Sequence, residues 1–489
     1  MGIRVDSNIL LSIQNQLVMR IIFVLFIFLC QLTYANGQDV LYKNQLVEDI
    51  QYAKKYMKKY HPSFNRYSND TEKDSVLSQL VTALPDTISF QKARIAIMTY
   101  IAQIGCGHTS VLNKTNSKKI VQPLILPFEV YHIDQRIYVR KYYHTDNALN
   151  IGDEILSING KEMVQILNEM SEIIMHDGFN KTHISYKIEK YFNYYFAMLN
   201  SQSKSFTIMI QRNGQTPTPR SILAMSDSLT TKSSQRYNAG TTSVIFDAGG
   251  MSLHHVHDLS STALLTIKSF SAGSQRKIRK QVFKYLKDQK IQNLIVDLRG
   301  NGGGNMFKGY KLISYFTDNL ITGLNFGRKP GFILFDPAID FKGGTRLTML
   351  SFMLNPLQYP SKHGWMHLFP FIKKRNKFDG KVYVLTDGGT FSMASVVAAK
   401  LKERCHATIV GEETGGGAAG SAGMANAMIT LPNTKIPISF NVYWTPSFIG
   451  KSDEGRGVIP QIEIQATIDD ILYKKDVVLE KVKFIIQSN

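Results

Sequence analysis

VYVLTDGGTFSMASVVAAKLKERCHATIVGEETGGG, residues Val382–Gly417, decides how this chain is read. Val382–Leu385 is a short apolar, β-branched run of the kind that forms a buried strand. Asp387-Gly388-Gly389 breaks it, and Ser392 then stands where a helix begins, with Ala394, Val397, Ala398 and Leu401 on that helix's apolar side. A second strand follows before Gly415-Gly416-Gly417. A serine on a sharp strand-to-helix turn can expose its Oγ beside free backbone N–H groups and the positive end of a helix dipole, which suits attack on a carbonyl. The plainer alternative is a capping serine in an α/β unit, because Ser is a preferred helix cap.

Outward from this stretch, the pattern from Ala263 onward alternates strands and helices. ALLTIKSF reads as a strand, QRKIRKQVFKYLKDQ as a helix, QNLIVDLRGNGGG as a buried strand entering a glycine-rich loop, and MFKGYKLISYF as the next helix. Continuous apolar strands between helices argue for an α/β domain with a largely parallel sheet. Phe326 to Phe378 interrupts the alternation with aromatic, Pro- and Gly-containing sequence, the character of a lid or substrate wall. Ala425 to Trp444 supplies two more strands, and Asp469 to Ile486 a closing amphipathic helix.

The amino-terminal half is different. LVEDIQYAKKYMKKYHP, KDSVLSQLVTAL and SFQKARIAIMTYIAQI read as three helices, the first stopped by His61-Pro62 and the last opening into Gly105-Cys106-Gly107-His108-Thr109. FEVYHIDQRIYVRKYY reads as a hairpin. IGDEILSINGKEMVQIL follows as strand, Asn-Gly turn and helix, Met163–Leu199 as a longer helical segment, and SFTIMIQRNG as a strand. Residues 226–260 are rich in Ser, Thr and Gly and read as a linker. Their His254, His255 and His257 lack an acidic or cysteine partner at a metal-binding interval.

The chain has 489 residues, 44% of them hydrophobic, enough for about three domains with packed cores. The net charge of +19 is spread over Lys54-Lys55, Lys58-Lys59, Lys277–Lys280 and Lys373–Lys377 without aromatic interleaving, so it reads as solvated surface and excludes a nucleic-acid platform. Arg20 followed by IIFVLFIFLC and QLTYANGQ matches a secretory signal, with cleavage expected after Ala35 or Gly37 and Met19 a better start than Met1. The apolar run is too short for a comfortable membrane span, and no second one follows. Of three cysteines, Cys30 leaves with the signal. Cys106 and Cys405 are open to bridging or to burial as thiols, and fit no zinc motif.

Two further segments carry candidate chemistry. Arg299-Gly300-Asn301-Gly302-Gly303-Gly304 bares consecutive N–H groups that can hold an oxyanion, and it matches neither GxGxxG nor the Walker pattern. In Asp453-Glu454-Gly455-Arg456-Gly457-Val458-Ile459-Pro460, a carboxylate in a glycine-framed turn can orient a histidine. Taken in order, the Gly-Cys-Gly-His-Thr segment, GDEILSING, DLRGNGGG, GTFSMAS with VGEETGGG, and EGRGVIP resemble the C-terminal processing, or tail-specific, serine peptidases and their tricorn-core-like branch. The resemblance spans nearly the whole chain from Leu46.

The resemblance implies Ser392 as nucleophile, His108 as general base and Glu454 as the carboxylate that orients it. Met393 with Gly302 or Gly303 would supply the oxyanion hole. One branch of the family uses a lysine downstream of the serine. Here Thr414-Gly415-Gly416-Gly417-Ala418 holds Gly417 at that place, which leaves the histidine as base. Pro123–Phe128 reads PLILPF in place of a Gly-Leu-Gly-Phe carboxylate loop, and the family's serine-rich run shrinks to Phe391-Ser392-Met393-Ala394-Ser395.

The expected architecture is a crotonase- and ClpP-like α/β spiral over 261–489 with an insertion at 326–378. Before it come a signal segment (1–37), a helical domain (38–117), a PDZ-like β-rich domain with a helical insert (118–225) and a linker (226–260). The expected activity is that of an exported, periplasmic or secreted serine peptidase acting on protein or peptide, with no metal or organic cofactor and no nucleic-acid partner. The alternatives are a non-catalytic binder of an apolar ligand or peptide on the same fold, and an envelope scaffold of PDZ type.

Overall fold

A computed structural model describes residues 40–113, 124–200, 203–212, 214–226, 242–273, 275–318, 320–326, 331–341, 343–361, 364–371, 376–447 and 454–488. The expected signal segment and Asp453 lie outside the described residues. Three helices open the described chain, Lys43–Tyr60, Asp70–Ala83 and Phe90–Ala102. The first ends at His61, which precedes Pro62, and the second starts on an Asn69 cap with Glu72 closing the capping box. The third buries Ala93, Ala96, Ile97, Tyr100 and Ile101 and so aims its end, and the Gly105–Thr109 turn beyond it, into the molecule.

The middle domain is a six-stranded antiparallel sheet, with Phe128–Ile133 along one edge and Thr218–Leu223 along the other. The expected hairpin is present: Phe128–Ile133 pairs with Arg136–Tyr142 across Asp134 and Gln135, both at positive φ, as a two-residue turn between right-twisted strands requires. The helical insert is two helices, Met163–Ile173 and Lys181–Leu199. The second covers the sheet edge. Glu189 Oε2 accepts from His132 N at 3.0 Å, and Asn193 Nδ2 donates to Phe128 O at 2.9 Å.

The carboxy-terminal domain holds two seven-stranded sheets. In the first, Thr262–Ile267, Asn293–Asp297, Lys381–Thr386, Thr408–Gly411 and Ile462–Glu463 lie side by side and parallel, as the apolar runs predict. Of the stretch expected as a linker, residues 227–241 lie outside the described residues, and the part from 242 on is corrected here. Thr242–Asp247 and Met251–Val256 form a hairpin that extends this sheet through Thr262–Ile267, because Ala248-Gly249-Gly250 makes the turn between two alternating strands. The second sheet centres on Gly420–Thr430 and Pro437–Pro446. Part of the insertion expected as a lid belongs to it: Gly364–Phe371 pairs with Leu320–Phe326 and with Gln358–Ser361. Ser110–Val111, just past the glycine-flanked histidine, pairs with Pro437–Pro446 and ties the amino-terminal domain to this sheet.

Candidate active site

The carboxyl ends of the parallel strands open onto two loops that are bolted together. After Asn293–Asp297 the chain enters Arg299–Gly304. Arg299 is buried between Asp297 and Asp476, with Nη2 2.8 Å from oxygens of both. Asn301, fully buried, donates from Nδ2 to Ile267 O at 2.7 Å and accepts at Oδ1 from Gly303 N at 2.8 Å. Its carbonyl accepts from Phe391 N at 2.9 Å. Asp387 Oδ1 accepts from Gly300 N and Gly389 N at 2.8 and 3.0 Å, which fixes the glycine loop against the turn after Lys381–Thr386.

Ser392 sits on that turn at φ 56 and ψ −125, a conformation that L-residues rarely adopt. Holding it there stores roughly 1–3 kcal/mol of strain, a common signature of functional turns. Its helix, Met393–Cys405, buries every residue from Met393 to Leu401. The strained turn lifts the hydroxyl off the helix start, and Ser392 makes no side-chain cap bond. Gly303 is forced by this geometry: a Cβ there would lie 2.7 Å from Ser392 Cβ and 2.8 Å from Met393 N, at a φ of +95.

His108 comes from the opposite side. Its Nε2 lies 2.9 Å from Ser392 Oγ. Phe391 lies against its ring at 4.6 Å, tilted by 31°, and His183 stacks on Phe391 at 4.3 Å, so the imidazole is backed by two aromatic neighbours in series. Thr109 beside it is held by the buried His61, whose Nε2 is 3.0 Å from Thr109 Oγ1. Burial pushes the His108 imidazole below the usual histidine range, opposed by the negative charge of Asp177 and assisted by Lys187. The ring is therefore neutral at neutral pH and able to accept the Ser392 proton.

Of the expected oxyanion donors, Met393 N is the first N–H of its helix and has no intrahelical partner. Gly302 N makes no hydrogen bond among the described residues. Gly303 N is committed to Asn301 Oδ1, and the N–H groups of Met393 and Gly302 are the ones left without an acceptor among the described residues. Glu454 makes no hydrogen bond to the histidine among the described residues. It is about half exposed and pairs with Arg66 Nη2 at 2.8 Å, while Arg66 itself lies over the Trp444 ring at 3.9 Å. The loop that carries Glu454 is held by buried Glu413, which accepts from Arg456 Nε at 3.0 Å and from Asn180 Nδ2 at 3.1 Å.

Sequence reasoning missed Asp177. It is buried next to the Gly105–Thr109 turn, and Gly178 packs on Gly455, where a Cβ would approach backbone atoms to 2.3 Å. Its signal, an Asp-Gly after an amphipathic helix, was legible only as a turn. Cys106, His108 and Asp177 bring their ligand atoms within 4.8 Å of one another. Burial, reinforced by Asp177, pushes the Cys106 thiol up to about 12, so it stays protonated at neutral pH. Cys106 and Cys405 are both free. His254 bonds Ser252 and His255 meets Tyr285 on the added hairpin, away from this cluster. Among the described residues no helix is long and apolar enough to cross a membrane.

Comparison with known proteins bears on the fold and the family. Residues 261–464 match the profile of Peptidase family S41, and residues 122–218 that of the PDZ domain. No curated protein matches the chain by sequence. Among solved structures, mature CPAF complexed with lactacystin aligns with a TM-score of 0.62 at 17% identity, covering 91% of this chain and 98% of that one. Mature CPAF aligns at 0.61 and 17%, covering 90% and 96%, and the two together establish a shared fold. The photosystem II D1 C-terminal processing protease aligns at 0.40 and 13%, covering 86% and 93%. The chain thus carries a PDZ domain followed by a peptidase family S41 domain, and it is a serine-type peptidase.

Proposed function

We propose that this peptidase is exported and cleaves peptide bonds through an acyl-enzyme on Ser392, with His108 as its base. The observation that carries the reading is the 2.9 Å approach of His108 Nε2 to Ser392 Oγ on a strained, backbone-exposing turn. As Oγ bonds to the carbonyl carbon, its proton passes to Nε2. The carbonyl oxygen takes the negative charge and faces Met393 N–H and Gly302 N–H; one such donor is worth about 10²–10³ in kcat. Collapse breaks the C–N bond, and the leaving amine takes the proton from Nε2. Water then repeats the sequence on the ester, giving its proton to His108 and releasing the acid and Ser392.

Glu454, the third member expected from the sequence, pairs with Arg66 here, so the proposal stands on the serine and the histidine. Export is supported by the Arg20–Gln38 sequence pattern. The preferred substrate class is protein or peptide. A fluorophosphonate probe labels Ser392 of the purified chain and labels neither Ser392→Ala nor His108→Ala. Equal labelling of Ser392→Ala would overturn the assignment.

A further inference from the structure

With Nε2 accepting from Ser392, the neutral imidazole of His108 carries its proton on Nδ1. That Nδ1 is buried and has no hydrogen-bond partner among the described residues. A buried N–H left unpaired is destabilising, and the cost rises once the ring becomes a cation during the reaction. Some group must answer that proton. Glu454, exposed and engaged by Arg66, does not reach it here.

Asp177 is the carboxylate beside it. It is 4% exposed, and one of its oxygens lies within 4.8 Å of a His108 ring nitrogen and of Cys106 Sγ. Oδ1 accepts from Gly107 N at 2.8 Å, the residue that precedes the histidine, and Oδ2 accepts from Gly417 N at 3.2 Å. Each oxygen keeps lone-pair capacity for one more donor. Catalytic hydrogen bonds are often long in the unliganded state and tighten with substrate. Gly417 adds a second point. It occupies the place where a lysine base would stand, and a Cβ there would come 3.8 Å from Asp177 Oδ2. The position that lacks a lysine instead gives its backbone N–H to this carboxylate.

The other charged or titratable groups around the ring do not compete for the role. Lys187 acts on it as a like charge, His61 is a buried neutral ring engaged by Thr109 Oγ1, and His183 is turned to Gly388 O at 3.0 Å behind Phe391. Cys106 is a buried neutral thiol. From this geometry we infer that Asp177 is the positioning residue of the base: it receives Nδ1–H of His108 and holds the imidazolium formed during acyl transfer. The inference rests on Ser392 and His108 being nucleophile and base, and it assigns Glu454 to anchoring Arg66 at the edge of the site.

The test uses the full chain and a fluorophosphonate probe. Asp177→Asn is expected to label about 10²–10⁴ times more slowly than the native protein, the scale of losing a tautomer-fixing carboxylate. Removing the negative charge lowers the imidazole pKa, so the acid limb of the labelling-rate profile moves to lower pH. Asp177→Glu restores part of the rate. In a Ser392→Ala background, the His108 titration followed by ¹⁵N NMR shifts down more with Asp177→Asn than with Glu454→Gln. Native labelling rate and titration in Asp177→Asn, or a larger shift from Glu454→Gln, would overturn the assignment of Asp177 while leaving Ser392 labelling intact. Absence of Ser392 labelling in the native chain would instead strike the underlying reading. If Asp177→Asn does not fold, the Ser392→Ala chain still decides. A far-downfield Nδ1–H proton of His108 that survives Glu454→Gln supports Asp177, and its loss in Glu454→Gln refutes it.

Discussion

The Ser392 turn and the edge of the PDZ domain are both places where a sheet ends in backbone groups, and they are finished in opposite ways. At the turn, strand ends run into loops that other residues hold open. Asn301 and Asp387 fill the loops' internal hydrogen bonds, and Met393 N and Gly302 N are left without an acceptor among the described residues. At the PDZ edge, the strand Phe128–Ile133 is covered. His132 N gives its bond to Glu189 and Phe128 O accepts from Asn193, both on the helix Lys181–Leu199. A preorganised site must keep unsatisfied donors, and it does so by spending buried side chains on rigid loops. An edge strand without a ligand is protected by covering it.

The sharpest way to break this contrast is at Gly303. Gly303→Ala places a methyl 2.7 Å from Ser392 Cβ at a φ unfavourable to alanine. It is expected to destabilise by about 3 kcal/mol or more and to abolish probe labelling, read by thermal melting and by the fluorophosphonate assay. If labelling survived, the loop would not be the rigid half of the comparison.

Acid probes the packing that supports the turn. Burial pushes His61 down to about 3, helped by the positive charges of His108 and Lys73, and pushes His183 down to about 3 against the pull of Gly388 O. An unfolded histidine titrates near about 6.5, so between these values the unfolded chain binds protons that the folded chain does not. Their contribution is complete above pH about 6.5 and is lost as pH falls toward 3, with a limiting slope of about 1.4 kcal/mol per pH unit for each. Melting temperature is expected to fall between pH 6.5 and 5, and His61→Gln to flatten that fall. A flat profile in the native chain would show that neither ring is held neutral.

The smallest effect is expected at the covered edge. Asn193→Ala leaves Phe128 O without this partner and costs about 0.5–1.5 kcal/mol, with melting as the readout. Labelling changes far less than in Gly303→Ala. Equal losses of labelling in the two variants would erase the distinction between the open turn and the covered edge.

Much of this was readable from residues. The four-to-five-residue apolar runs around Leu294–Val296 and Val382–Leu385 became parallel strands because burial on both faces demands continuous apolarity. Ser392 and His108 were singled out only by the ordered resemblance of several motifs, because a serine or histidine on a glycine turn is by itself an ordinary cap or turn residue. The hairpin at 242–256 was not, since its Ser and Gly content resembled a linker while its pairing partner lies beyond it in sequence. The insertion at 326–378 shares that difficulty: strand pairing over long separations leaves no local trace. Asp177 left the least trace, because a buried carboxylate in a turn has no periodicity, and its partners Gly107 and Gly417 are 70 and 240 residues away.

One helix joins the two regions. Lys181–Leu199 covers the PDZ edge from its middle, while its first turns grip the catalytic loops: Asn180 Nδ2 donates to Thr414 O at 2.8 Å, Thr182 Oγ1 donates to Glu413 O at 2.9 Å, and His183 Nδ1 meets Gly388 O. Anything that lifts this helix from Phe128–Ile133 pulls on the same element that holds Thr414, Glu413 and Gly388. Thermodynamic linkage makes such a coupling reciprocal: whatever free energy edge occupancy transmits to acylation, an occupied acyl site returns to the edge.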